Sequence, residues 1–459
     1  MDNVKNSTFS DKLMSLVSSE KFYYYYIISI MVVVPFFELI TELMGYPFES
    51  QSLIIELYGY VGLFGIVMYF MNKKVEKQYY PSDIFYGLLV LFAIIALVCS
   101  KNMTASTVGK YYDEKPFHFM TYFALMFAGT MINSDKRRKN VLFVFCGVAA
   151  LQGIVALFQS FGYRITDCFF DPEWHRDDNL CFGLTQHNNW FAGLSTMFAA
   201  AAIGLFIFTP KNKKISYVYL ILSALSIYVS IGTSARIAWV GNLMIIVFYI
   251  ISLIVGAKKG IIRSNAKSYF LSFAIIIVVY AVMVMLGSVF HNIFDNAISD
   301  FSREIGAGFD EFGTKRGYIW RYGLESVPDN WLTGVGLDNY YYAFTSNPNW
   351  HQGMYSQAKG HNEYLHTLVT QGVFAVTNYI ALLIYSFFTG VNNVIKTKDD
   401  NHRFITWTFL GMLIGYAAQA FFNSSVINVA MYFWIVVGIT IPKSTQKPLQ
   451  FKKRKVNNT

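Results

Sequence analysis

His361 stands in Gly360-His361-Asn362-Glu363-Tyr364-Leu365, where a long polar segment gives way to an apolar run. An imidazole titrates near neutral pH, so a histidine here can take a proton from a hydroxyl. A capped, purely structural histidine is the other reading of the same local sequence. His366, five residues on, lies off that helical face and reads as a packing or interface residue. Arg236, in Gly232-Thr233-Ser234-Ala235-Arg236-Ile237-Ala238-Trp239, stands at the mouth of an apolar block. A guanidinium at that depth faces a polar cavity or a partner, or else snorkels to the headgroups. Arg316 and Arg321 lie within the polar segment itself. The planar fork of arginine matches phosphate oxygens and keeps its charge at any relevant pH. Arg236 and Arg316, with Arg176 as a third, can therefore converge on a diphosphate without a metal. Each loop arginine taken alone also reads as a solvated ion pair.

The elements that must position these residues are membrane helices. The chain has 459 residues, 54% hydrophobic and only 14% charged, which excludes an ordinary soluble domain. Apolar stretches of membrane length centre near residues 22–41, 52–71, 83–99, 116–133, 140–161, 187–208, 215–231, 236–256, 268–289, 362–389, 404–422 and 426–442. Backbone satisfaction in lipid then demands helices, and the expected fold is an all-α polytopic membrane protein of about twelve spans. We take residues 1–459 as one membrane domain, since no repeat, low-complexity tract or Pro-rich linker divides them.

A formal net charge of +9 does not indicate nucleic acid, because its distribution follows the loops. With both termini on one side, 26 of the 37 Lys and Arg fall there, including Lys73, Lys74 and Lys77, Lys136 to Lys139, and Lys452 to Lys455. The positive-inside rule makes that side cytoplasmic. The first twenty residues carry no cleavage-type site, so the first span is expected to stay as an uncleaved anchor. Residues 290–361, between spans 9 and 10, then form a long extracytoplasmic loop. Within it Ile319, Trp320, Gly323, Leu324 and Val327 recur at helical spacing and Pro328 follows, which predicts an amphipathic helix near the membrane surface from Arg316 to Val327. Asn339-Tyr340-Tyr341-Tyr342 and Trp350 add aromatic surface, as an interfacial belt or for sugar stacking. Cys168 and Cys181 share the external loop 162–186, as a disulfide or as two free thiols. No His-Glu-x-x-His, paired-cysteine or phosphate-loop motif is present, and no metal or cofactor is expected.

Taken together, Thr233-Ser234-Ala235-Arg236, Arg316 with Trp320, Gly334-Val335-Gly336, and His361-Asn362 followed by Gly372 resemble the signature series of the O-antigen ligase and polymerase family. A histidine, then Asn, Ser or Gln, nine residues and a glycine is that family's pattern. Ala375 stands where a second Gly, Thr or Tyr is usual. The resemblance covers roughly residues 180–440. It implies a metal-independent, inverting glycosyltransferase of the type C class. Such an enzyme moves glycan from a polyprenyl-diphosphate carrier to an acceptor hydroxyl outside the cytoplasmic membrane.

Carried over, Arg236 and Arg316 bind the carrier diphosphate, His361 is the base, Asn362 supports it, and Trp320, Gly334 and Gly336 shape the loop, with Gly372 completing the pattern. Arg176, His187 and Arg321 have no firm counterpart and are weaker candidates, the first two for the mouth of an acceptor cavity. Polymerisation of a capsule, exopolysaccharide or O-antigen is the first expectation, from the abundance of Lys, Asn, Ile, Tyr and Phe, which points to an AT-rich genome of the kind found in Gram-positive organisms without lipopolysaccharide. Ligation of a finished glycan to another acceptor is the alternative. A transporter of lipid-linked glycan is a rival class, weakened by the scarcity of mid-span ionisable residues, of which His118 and Glu56 are the main ones. A non-catalytic scaffold for other polysaccharide assembly proteins leaves the external arginines and His361 without a purpose.

Overall fold

The computed structural model of the chain describes residues 9–44, 49–163, 179–185, 187–262, 265–291, 299, 302–304 and 306–450. Every regular element among them is helical. In chain order the helices begin with α1 (Phe9–Val17), α2 (Glu20–Leu43), α3 (Glu49–Met71), α4 (Pro81–Val98), α5 (Met103–Val108) and α6 (Pro116–Met131). They continue with α7 (Asp135–Gln159), α8 (Asn188–Phe208), α9 (Ile215–Gly232), α10 (Arg236–Lys258), α11 (Ala266–His291), α12 (Phe312–Asn330) and α13 (Tyr342–Thr345). The last four are α14 (Glu363–Gln371), α15 (Val373–Lys396), α16 (Asp400–Gln419) and α17 (Ile427–Thr440).

Eleven of the described helices are long and apolar enough to cross a membrane. The stretch expected as the fourth span is the exception. Polar contacts show that it still runs from one end of the bundle to the other. They sort the helix termini onto two ends of the bundle. One end joins Glu20 to Arg137, Asp135 to Arg138 and His402, and Asp83 to Lys443. The other joins Lys115 to Glu56, Gln159 to Gly183, and Arg236 to Glu304. α6 leaves Lys115 at this second end and delivers Asn133 to the first, where its side chain accepts the Ser444 N–H. It does so in 16 residues. That is a rise of about 24 Å, short of the ~30 Å hydrocarbon core. The shortfall is tolerated because α6 is enclosed by α3, α4 and α17. Gly129 and Gly438 let the backbones of α6 and α17 meet; a Cβ on Gly438 would stand 2.2 Å from the Met126 carbonyl oxygen.

α8 is buried along its whole length and forms the axis of the second half. Its Ala199–Ala202 run admits Tyr249 of α10, whose hydroxyl donates to the Ala200 carbonyl at 2.7 Å. Small residues that allow such close approach are the usual means of joining helices where lipid supplies no hydrophobic drive. His118 and Glu56 do not sit in mid-span. Both lie at the end of the bundle that carries Lys115, with Glu56 2.9 Å from its ammonium and Ser52 between them.

The expected tenth span, 362–389, is two helices. Gly372 separates α14 from α15 at φ 86, a left-handed conformation that suits glycine. α12 starts where expected but ends later. Gly313, Thr314 and Lys315 are all left-handed, so the regular helix begins at Arg316, and it continues past Pro328 to Asn330. Its apolar face does not lie open to a membrane surface. Ile319 and Tyr322 join Val335, Tyr340, Phe344, Leu365 and Val369 in a small second core built from the loop and α14, while Leu324 is left exposed.

Candidate functional site

The loop between α11 and α14 is anchored at its far end by backbone threading. Val335 and Gly336 donate their N–H groups to the carbonyls of Val369 and Thr370 at the end of α14, and Val373 donates to Trp331. Gly334 permits that approach. At φ 70 it is left-handed, and a Cβ would fall 2.2 Å from the Thr370 carbonyl carbon. Gly336 is pressed as closely against Ser100, and Gly372 against the Leu332 carbonyl. The three glycines of the sequence pattern are thus where the loop, α14 and the α4–α5 turn are pinned together.

This frame delivers His361 in a left-handed conformation, φ 46. Such strain costs of order 1–3 kcal/mol in a non-glycine residue and needs surroundings that enforce it. They are visible. The Trp320 indole donates to the Gly360 carbonyl at 2.9 Å, and Asn362 caps α14 by accepting the N–H groups of Tyr364 and Leu365. Ser234, two residues before Arg236, and Thr314 and Lys315, just before Arg316, are left-handed as well. Four of the seven left-handed non-glycine residues among those described thus lie at, or within two residues of, Arg236, Arg316 and His361.

His361 lines two cavities. The first, about 290 Å³, is bounded by Asn188, Asn189, Ser234, Arg236, Thr314, Arg316, Tyr355 and His361. Arg236 reaches it through a two-pronged pair with the nearly buried Glu304, at 2.8 and 2.9 Å, and Glu304 also accepts the Thr314 N–H. Glu304 is held below the ordinary carboxylate range by these hydrogen bonds, against the effect of burial. Arg316 is half-buried and has no ion pair or hydrogen bond among the described residues. Burial, with Arg236 nearby, brings its guanidinium down to about 10, so it remains charged at neutral pH. The second cavity, about 270 Å³, is bounded by Tyr112, His187, Asn189, Trp190, Gln357, Lys359, His361, Asn423, Ser424 and Val426. Its polar amides and the Trp190 ring, stacked on His187 at 5.3 Å, give it a different character. Burial, then Arg316 and His187, push His361 down to about 3. Its ring is therefore neutral and able to accept a proton.

Behind the second cavity lies an ion cluster. Glu114, just ahead of α6, sits 3.0 Å from the Lys359 ammonium and 2.7 Å from His366 Nε2. Burial would raise Glu114, but Lys359 and His366 overcome it and hold the carboxylate well below its usual range. Asp338 accepts the N–H groups of Tyr111 and Tyr112, and burial lifts it to about 6.

The nominated residues do not all meet. Arg236, Arg316 and His361 share one cavity, and His187 lines the other, where its Nδ1 caps α8 by accepting the Asn189 N–H. Arg321 lines neither; it pairs with Asp310 and Glu325 at the surface. Arg176 and Cys168 lie outside the described residues. Cys181 is a free thiol, buried, with its Sγ donating to the Ala156 carbonyl. Sequence reasoning missed Glu304, Asn188, Asn189, Glu114 and Lys359. For Lys359 a signal existed, since a lysine two residues from His361 in a segment poor in basic residues needs a reason as much as Arg236 does.

Residues 220–380 match a family model described as O-antigen ligase. The chain is also 23% identical over 365 residues to a ComP-specific O-oligosaccharyltransferase of Acinetobacter baylyi, an alignment covering 76% of this chain. The chain spans 60% of that relative's length. Arg236, Arg316, Trp320, His361 and the three pinning glycines all fall within the matched region, so the part of this polytopic membrane protein that carries the cavities is the part similar to the O-antigen ligase family.

Proposed function

We propose that the protein transfers glycan from a polyprenyl-diphosphate carrier to an acceptor hydroxyl, with the first cavity holding the diphosphate and the second the acceptor. The observation that carries this reading is the place of His361 on the wall shared by both cavities, opposite Arg236 and Arg316 on one side and Trp190 on the other. The acceptor hydroxyl gives its proton to the neutral imidazole as its oxygen bonds to the anomeric carbon. The bond from that carbon to the phosphate oxygen breaks, and its electron pair leaves with the diphosphate. Arg236 and Arg316 stabilise that charge as it develops, in the part that a divalent ion takes elsewhere. Attack from the cavity facing the leaving group inverts the anomeric centre. A diphosphate beside Arg316 also offsets the charge that depresses His361, making it a stronger base when the donor is bound.

The site is assigned to the outer face of the cytoplasmic membrane, with both termini cytoplasmic. The loops assigned to that inner side hold 26 of the 37 Lys and Arg, and Arg137, Arg138, Arg403 and Lys443 of this set lie at the end of the bundle away from the cavities. A growing chain still on its carrier as acceptor makes the enzyme a polymerase, the reading its composition favours. Transfer of a finished glycan to a different acceptor is the second reading, supported by the family description and by the name of the A. baylyi relative. Purified protein in liposomes, given one lipid-linked repeat unit, separates them. A product ladder that vanishes in His361→Ala supports polymerisation, and single transfer only after a second acceptor is added supports ligation. Carrier turnover that survives loss of both His361 and Arg236 would reject this site and favour transport.

A further inference from the structure

His366 is wholly buried and is neither a cavity wall nor simple packing. Its ring stacks on Tyr340 at 5.4 Å, and its two nitrogens face different partners. The Gly360 N–H points at Nδ1, 3.3 Å away, and Glu114 Oε2 lies 2.7 Å from Nε2. A backbone N–H can only donate, so Nδ1 must be the bare nitrogen and Nε2 must carry the hydrogen. An ionised carboxylate can only accept, which demands the same tautomer from the other side. Lys359 balances the charge of that carboxylate at 3.0 Å.

Gly360 is thus gripped on both sides, its N–H by His366 and its carbonyl by the Trp320 indole. It is the residue with the least stiffness of its own, immediately before a histidine held at φ 46. A side chain there would not replace the grip, since a Cβ would come within 2.9 Å of the Tyr340 ring. We propose that His366 is a positioning residue for His361, acting through the Gly360 peptide, with Glu114 selecting the tautomer that the grip requires. The inference rests on the reading of His361 as the base. It also gives the N-terminal third of the chain, outside the family match, a hand in the chemistry through Glu114.

Two replacements separate the two nitrogens. In His366→Asn the amide oxygen stands near the place of Nδ1 and still accepts from Gly360; in His366→Gln the longer amide reaches Glu114 and leaves the Gly360 N–H without an acceptor. Transfer from a lipid-linked repeat unit is measured with the purified full chain in liposomes, beside His361→Ala. His366→Gln is expected to lose about 10²-fold in kcat with the donor KM unchanged, and His366→Asn to stay within about tenfold of the parent. Hydrogen exchange over the peptide containing Gly360 should quicken in the Gln variant only. Equal loss in both variants, or no loss in either, overturns the proposal. Full turnover in His361→Ala instead overturns the reading of the base and leaves the exchange result to judge the grip. If His366→Gln does not fold, Glu114→Leu with Lys359→Met removes both charges together and frees the tautomer. An undiminished kcat in that double variant overturns the role given to Glu114.

Discussion

At the end of the bundle away from the cavities, Arg138 is wholly enclosed and gives its guanidinium to Asp135 and Thr406, with His402 at 3.3 Å. At the cavity end, Arg316 is half-buried and has no ion pair or hydrogen bond among the described residues. The same contrast runs through the neighbours. Arg403 is tied to Asp400 and to the carbonyls of Val394 and Thr397, and Lys443 lies 3.6 Å from Asp83 among aromatic rings. His361, by comparison, is held by its backbone and leaves its ring to a cavity on either side. Charge at one end is spent on joining helices. At the other, Arg236 and Lys359 are paired with Glu304 and Glu114, but Arg316 and the His361 ring are left to the cavities.

If that contrast holds, substitutions at the two ends should fail differently. The largest effect is expected for His361→Ala, a loss of about 10²–10⁴-fold in glycan transfer, with the melting temperature unchanged. Next comes Arg138→Gln, which breaks a buried pair and should cost about 3–5 kcal/mol of stability while turnover per folded molecule is preserved. Unfolding curves and activity normalised to folded protein check both. A catalytic defect in folded Arg138→Gln would erase the distinction.

Arg316→Gln should cost about 10²–10³-fold in kcat without loss of stability. It also tests the electrostatics. Burial and then Arg316 lower His361 to about 3, so removing one cation raises that value. In the proposed mechanism His361 must be neutral to act as the base, so the acid limb of the pH profile should move upward, toward the ordinary histidine range. A limb that moves down or stays fixed would dissociate Arg316 from His361. The smallest effect is expected at Arg321→Ala, which gives up surface pairs to Asp310 and Glu325. A stability change within about 1 kcal/mol and unaltered transfer are predicted there.

The residues legible in the sequence were those whose type is costly in their setting. Arg236 at the mouth of an apolar block and His361 at the head of one announce themselves, because few structural needs call for them there. Their partners were silent. Glu304 is 68 residues from Arg236, and Glu114 is 245 and 252 residues from Lys359 and His366. An acid in a polar loop looks like any solvated acid until folding supplies the cation. From sequence His366 reads as packing, because helical spacing reports which face a side chain is on, not which nitrogen has a partner.

The spans were legible as apolar runs, yet the run near 116–133 concealed a helix of only 16 residues. Burial inside the bundle releases a helix from matching the membrane, and composition does not distinguish the two cases. The helical period of α12 was also visible. Its true partner was not, since the core it covers is made by the loop folding on itself and on α14.

The polar ties that close the loop against α4, α5 and the turn before α6 have consequences for the order of assembly. Asp338 to Tyr112 bridges 226 residues, Ser106 to the Leu337 carbonyl 231, and Glu114 to His366 252. Synthesis proceeds from the N-terminus, so the receiving surface emerges long before the segment that docks on it. Such distant closures are slow steps, made only after local helices exist. The site is therefore a late seal rather than a nucleus. A chain stalled before Gln371 would already hold most of its helices and still have no finished place for chemistry.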